Sequence, residues 1–195
     1  MNRHWWVTCL AVVALSSGLA SCSGDDEPDT KPTTPTTSAS PTEAPQPKGA
    51  DGVTVDIQNW ESHAEDPAVL AFKKATESVN ASANKRKILP DFRAGFSKKP
   101  LRTLVTNVRL AWRNNWHVAP VLHAKVRRSE RQGSKVRLVM CQWAPSHAYL
   151  KKNNTPVKKP KRVWDQVVYE LSPKADSWVI TSFKLKGRCP GGAPS

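Results

Sequence analysis

Apolar residues change their period once along this chain, near Asn115, and that change constrains the fold more than any other feature. Before it, the spacing is helical. Residues 66–84, DPAVLAFKKATESVNASAN, open with Asp66 as an N-cap and Pro67 at the first helical position. Val69, Phe72, Thr76 and Val79 then fall on one face, with Leu70 beside it. The stretch KKPLRTLVTNVRLAWRN repeats the pattern. Pro100 starts it, and Leu101, Leu104, Val105, Val108 and Trp112 follow helical spacing. Between the two, LPDFRAGFS is a short helix or turn carrying Phe92 and Phe96.

After Asn115, apolar and polar residues alternate. HVAPVLHAKVRR and SKVRLVMCQW form one hairpin about the turn SERQGS, and KRVWDQVVYEL and SWVITSFKLKGRC form a second about SPKADS. His117 and His123 both fall on the first of these strands. Val136, Leu138 and Met140 share one face, and Val139, Cys141 and Trp143 the other. Val163, Val167, Tyr169 and Leu171 line up, as do Val179, Thr181, Phe183 and Leu185. GVTVDIQNW adds a short edge strand near the start. Helices first and hairpins afterwards imply an α+β fold, with helices on one face of a bent antiparallel sheet. Residues 51–195 form one domain, long enough to bury a core.

The amino-terminal end has a different character. Arg3 and His4 precede an apolar run from Trp5 to about Ala14 and then small residues, the order of a secretory signal. The run is shorter than the roughly 20 residues that span a bilayer. Leu19, Ala20, Ser21 and Cys22 resemble the lipobox of bacterial lipoproteins, a family in which diacylglycerol is attached to the cysteine sulfur and the chain is cut before it. The resemblance implies a signal peptide at 1–21, lipidation of Cys22, and a place on the outer face of the cell membrane. Residues 22–50 are rich in Thr and Pro and almost free of apolar side chains other than alanine. They read as a disordered tether, reaching between roughly 30 Å and 85 Å.

With Cys9 removed and Cys22 lipidated, Cys141 and Cys189 remain as an even pair in an oxidising compartment and are expected to be bonded. Neither has a CxxC or HxxxH partner nearby, so no metal site is expected. No GxSxG, HExxH or phosphate-cradling glycine loop occurs, and no cofactor is implied.

The order of elements looks like the NTF2-like cone fold, in particular that of secreted actinobacterial lipoproteins. The residues that carry this are KVRLVMCQWAPS, VWDQVVYELSPKADSWVI and KLKGRCPGG, and the resemblance covers 66–189. It implies the same Cys141–Cys189 pairing and a pocket. Some relatives are isomerases or dehydratases that use an Asp or His base and a Tyr donor. The candidates here are Asp165 and Tyr169, which share a strand face while Glu170 points the other way. The family often has an aspartate two residues after the first cysteine, where this chain has Trp143. His147 sits in a loop, and nothing places His123 beside Asp165. No catalytic residue is therefore assigned.

Charge is the strongest chemical feature. Residues 51–195 hold 27 Lys and Arg against 11 Asp and Glu. The densest run, YLKKNNTPVKKPKR, carries Lys151, Lys152, Lys158, Lys159, Lys161 and Arg162, flanked by Tyr149 and Trp164. Arg127, Arg128, Arg131, Lys135 and Arg137 surround the first hairpin turn. Such a field draws polyanions: anionic lipid, wall-linked phosphate polymer or DNA. No helix-turn-helix or finger pattern supports sequence-specific nucleic-acid reading. The sequence thus reads as a non-enzymatic, lipid-anchored envelope protein that binds an anionic component or an envelope protein. The alternatives are a cone-fold isomerase or dehydratase, and a component of a conjugation or secretion apparatus.

Overall fold

Asp66 caps a helix as its place before Pro67 predicts. Its side chain accepts hydrogen bonds from the Ala68 N–H at 2.8 Å and the Val69 N–H at 3.4 Å. The helix α1 runs over Pro67–Lys85 and ends at Arg86, whose left-handed φ of 52° turns the chain away. The structure, a computed structural model, describes residues 45–49 and 51–190. The expected signal peptide, Cys22 and most of the expected tether lie outside them.

Val69, Phe72, Thr76 and Val79 are all buried on α1. Leu70 is 41% exposed, because one residue is about 100° of helical turn and takes it off the apolar face. A short helix α2 (Pro90–Ala94) buries Phe92. Helix α3 spans Lys98–Arg113. It starts two residues before Pro100, which is its third residue. A proline costs nothing there, because the first four N–H groups of a helix have no intrahelical acceptor.

The strands are β1 (Thr54–Ile57), β2 (Val121–Gln132), β3 (Lys135–Trp143), β4 (Trp164–Lys174) and β5 (Ser177–Arg188), paired in that order. The fold is α+β. Strands β2 to β5 are antiparallel, but β1 runs parallel to β2, which corrects the expectation of a wholly antiparallel sheet. The physical reason is the connection: the whole helical half lies between β1 and β2, and a long crossover permits parallel pairing.

Both hairpin turns are tighter than their polar composition implies. Only Gly133 and Ser134 separate β2 from β3, and Gly133 adopts φ 61°, the pattern of a type II′ turn. Only Ala175 and Asp176 separate β4 from β5. SERQ and SPK are strand ends beyond the core, where polar side chains are free to face water. His117 precedes β2 and bridges to Leu150 instead, and Val163 precedes β4 and is 59% exposed.

An extra residue interrupts β5. Tyr169 pairs with Phe183 and Leu171 with Ile180, so Thr181 is a bulge. The expected row of Val179, Thr181, Phe183 and Leu185 is therefore broken, and Ile180 enters the core at 1% exposure. Further register shifts fall at Arg127 in β2 and Lys186 in β5. Each such insertion bends its strand. The core lies between the inner face of this sheet and α1 to α3, around Phe72, Phe92, Leu122, Leu138, Met140 and Leu171.

Side chains close the edges where strands end. Gln46, expected in the tether, bonds to the Val55 carbonyl and accepts from the Ile57 N–H at 3.0 Å along the open side of β1. Asn59 exchanges two 2.9 Å bonds with Val126 just past the end of β1. Lys73 and Glu77 form an ion pair on α1, and the same Glu77 oxygen accepts from the Val55 N–H at 2.9 Å.

Candidate ligand-binding site

At one end of the sheet the inner face departs from the helices and leaves a cleft of about 450 Å³. Helix α1 contributes Thr76, Val79 and Asn80, and α3 contributes Leu104 and Asn107. Gln142 comes from β3, Asp165, Val167 and Tyr169 from β4, and Phe183 and Leu185 from β5. Alternation sets this list, because residues two apart on a strand share a face. A cleft of this size lined mostly by carbon, with a few polar groups, has the make-up of a small-molecule site.

Tyr169 sits on the floor. Its ring lies edge-on to Phe72 at 4.8 Å and tilted to Phe183 at 6.1 Å. Burial pushes its hydroxyl well above the usual phenol range, so it stays protonated. Gln142 Nε2 donates to the Tyr169 oxygen at 2.9 Å, leaving the tyrosine O–H as a donor. Asp165 faces Gln142 directly across the strands. Its Oδ1 is enclosed and accepts no hydrogen bond from the described residues, although a quarter of the side chain is exposed. Arg162 Nη1 stands 3.6 Å from that oxygen, beyond hydrogen-bond length.

His147, on the loop after β3, completes the wall. Burial lowers its pKa from 6.5 to about 4; the His123 carbonyl pulls the other way, and the His123 ring adds to the lowering. The imidazole is therefore neutral at neutral pH. Its Nε2 lies 3.1 Å from the His123 carbonyl, which can only accept, so the proton is on Nε2 and Nδ1 is an acceptor.

The basic run does not form one free loop. Residues 149–157 fold into a small hairpin: Val157 N–H donates to Tyr149 O at 2.8 Å and Lys151 N–H to Thr155 O at 2.8 Å. His117 Nε2 meets Asn154 Oδ1 at 2.9 Å and pins it. Lys151 and Lys152 lie at that hairpin. Lys158, Lys159, Lys161 and Arg162 lie on the return to β4, where they line an outer cleft of about 590 Å³. Ala144, His147, Tyr149, Asp165 and Leu185 line both clefts, so the two adjoin. The second basic group is elsewhere and partly engaged. Arg128 and Arg137 reach Glu130 at 3.1 and 3.9 Å, and Arg131 lies over the Trp178 ring at 5.9 Å.

Cys141 and Cys189 meet at disulfide distance on the outer face, with Cα atoms 5.8 Å apart. Trp143 and Trp164 pack around them. Trp143 packs on that outer cluster and does not line the cleft. His123 does not approach Asp165; it pairs with Asp56 at 2.8 Å. Sequence reasoning placed Asp165 and Tyr169 on one face and left His147 in a loop without a role, but missed Gln142, Asn80 and Asn107. Gln142 was within reach of inference, since aligning the strands about Cys141 puts it opposite Asp165.

No family model matches this chain, and no curated protein does. Among solved structures, the solution NMR structure of a de novo designed β-sheet protein matches at 14% identity. The match covers 69% of this chain and 93% of that one with a TM-score of 0.25, too distant to carry any statement about fold or function.

Proposed function

We propose that this chain is a lipid-anchored cell-envelope protein whose folded domain, a cone of the NTF2-like kind, holds an anionic and partly apolar envelope component without transforming it. One observation carries the reading. Four cations of the basic run, Lys158, Lys159, Lys161 and Arg162, line an outer cleft that adjoins the apolar one. A ligand with a negative head and an apolar body would place the head among these cations and the body against Val79, Leu104, Val167 and Phe183. The Tyr169 hydroxyl then offers one donor and His147 Nδ1 one acceptor at depth. The Leu19–Cys22 sequence supports the anchor, and the Cys141–Cys189 pair supports an oxidising compartment.

The test is a titration of the full chain with dodecyl phosphate and, separately, dodecanol. The phosphate should bind more tightly. K158Q/K159Q/K161Q/R162Q should weaken it by about ten-fold or more and leave dodecanol unchanged. Leu104→Trp should block both. Equal affinity for the two ligands, unaffected by these changes, would defeat the reading.

An isomerase or dehydratase is the second reading, because Asp165, Tyr169 and His147 line one cleft. Asp165 and Tyr169 are four residues apart on β4, about 13 Å between their backbones, but the Tyr169 hydroxyl reaches the side chain of Gln142, the cross-strand partner of Asp165. Retained ligand binding with unchanged ligand chemistry in the parent protein favours the binding role. Turnover that Asp165→Asn abolishes favours the enzyme.

A further inference from the structure

Helix α3 carries a third basic surface, separate from the loop 151–162 and from the first hairpin. Lys98, Lys99, Arg102, Arg109 and Arg113 are all exposed, and no Asp or Glu occurs anywhere in Lys98–Arg113. At about 100° per residue these five cations fall within a sector of about 100°, on the side opposite the buried Val108 and Ala111. From Lys99 to Arg113 the row is about 21 Å long. Among the described residues none of the five meets a carboxylate, whereas cations elsewhere do: Lys73, Lys74, Lys85, Arg128, Arg137 and Arg162. Five like charges on one turn-aligned sector repel each other, and nothing within the described fold offsets that. Leu110, 40% exposed, lies at the border of the sector, one turn before Arg113.

We propose that this face of α3 docks on a bilayer containing anionic phospholipid. Charge complementarity selects an anionic partner, and shape selects a plane. The outward side of a helix is convex. A linear polyanion would cross it at a few points without walls to hold it, whereas a plane of headgroups meets the whole sector at once. The apolar face of α3 is taken up by the core, so the contact is electrostatic and shallow, with Leu110 the one apolar side chain at its edge. This surface is distinct from the cleft and does not depend on the lipid at Cys22.

The experiment is co-sedimentation of the full chain with vesicles of mixed phosphatidylglycerol and phosphatidylcholine, set against phosphatidylcholine alone, at low and at physiological salt. The proposal expects an increment in binding that depends on phosphatidylglycerol and shrinks with salt. Each cation removed should weaken that increment about five-fold, so K99Q/R102Q/R109Q/R113Q should reduce it by about 100-fold or more. K158Q/K159Q/K161Q should keep most of it, and R102K/R109K/R113K should retain it because point charges suffice. A thermal melt checks that each variant is folded. Where the quadruple variant melts early, R102Q and R109Q singly carry the test. The proposal is overturned if the α3 variants keep the increment, if the loop variant alone removes it, or if the parent binds both vesicles equally. It is also overturned if α3-dependent binding goes to soluble polyphosphate and not to vesicles. Dodecyl phosphate binding by the α3 variant, measured in parallel, separates this outcome from failure of the cleft reading.

Discussion

Side-chain amides in this protein stand in for strands that are missing. Gln46 bonds to two backbone groups of β1, Asn59 to both groups of Val126, and Asn84 to both groups of Val118 at 2.8 and 3.2 Å. A carboxamide offers a donor and an acceptor side by side, as a peptide group does, so each can satisfy an edge that would otherwise face water unpaired. His147 is the single residue with the clearest pH signature. Between pH 6.5 and about 4 the unfolded chain binds a proton at this position and the folded chain does not. Stability therefore rises with pH across that window and is lost as pH falls through it, by at most about 3 kcal/mol. His147→Gln retains an N–H for the His123 carbonyl and removes the titration. Thermal unfolding of parent and variant above pH 6.5 and near pH 4 should show a smaller acid loss in the variant. Equal losses would mean that other groups govern the acid response.

At the level of elements, the bulge at Thr181 decides which β5 side chains count. Simple alternation from Phe183 makes Thr181 an inward residue, and the structure makes it Ile180. Ile180→Ala should cost about 2–5 kcal/mol in urea unfolding, as for other fully buried aliphatics. Thr181→Ala should cost about 1 kcal/mol, through loss of its 3.0 Å bond to the Glu170 carbonyl. The reverse order would deny the bulge. The Cys141–Cys189 link closes a span of 48 residues and ties β3 to the end of β5. Reduction should lower stability by up to about 4 kcal/mol, read as a fall in Tm with added dithiothreitol. Much of this was legible beforehand. Helical spacing gave the buried faces of α1 and α3, and alternation gave two hairpins and the pairing of Asp165 with Tyr169 on one face. Three things were not legible. A four-residue strand such as β1 carries no mark of its direction. Polar strand ends such as SERQ look like turns. Register across a bulge depends on packing that a single strand's pattern does not contain, which is why Ile180 was misplaced.

For the whole molecule, the positive excess is distributed over separate places: the outer cleft, the α3 face, and the end of the first hairpin. No helix among the described residues is long and apolar enough to cross a membrane. In the function proposed above, attachment rests on Cys22. Cys22→Ser should abolish metabolic labelling with a radiolabelled fatty acid and leave the precursor uncut; a fully processed, unlabelled parent chain would refute the anchor. Gln46 gives this arrangement a mechanical side. A pull on the chain ahead of residue 45 would load the two Gln46 bonds first, then the 3.1 Å bond from the Gly49 N–H to Thr54, then the four-residue ladder of β1. The Gln46 and Gly49 bonds are few, whereas Val53, Val55 and Ile57 are buried in the core and Glu77 holds the Val55 N–H, so the segment ahead of β1 gives way before the strand does. None of the cleft residues lies on β1, and β3 to β5 are held by the disulfide. Under tension residues 45–49 would act as a slack reserve, letting out several residues while the cleft keeps its shape.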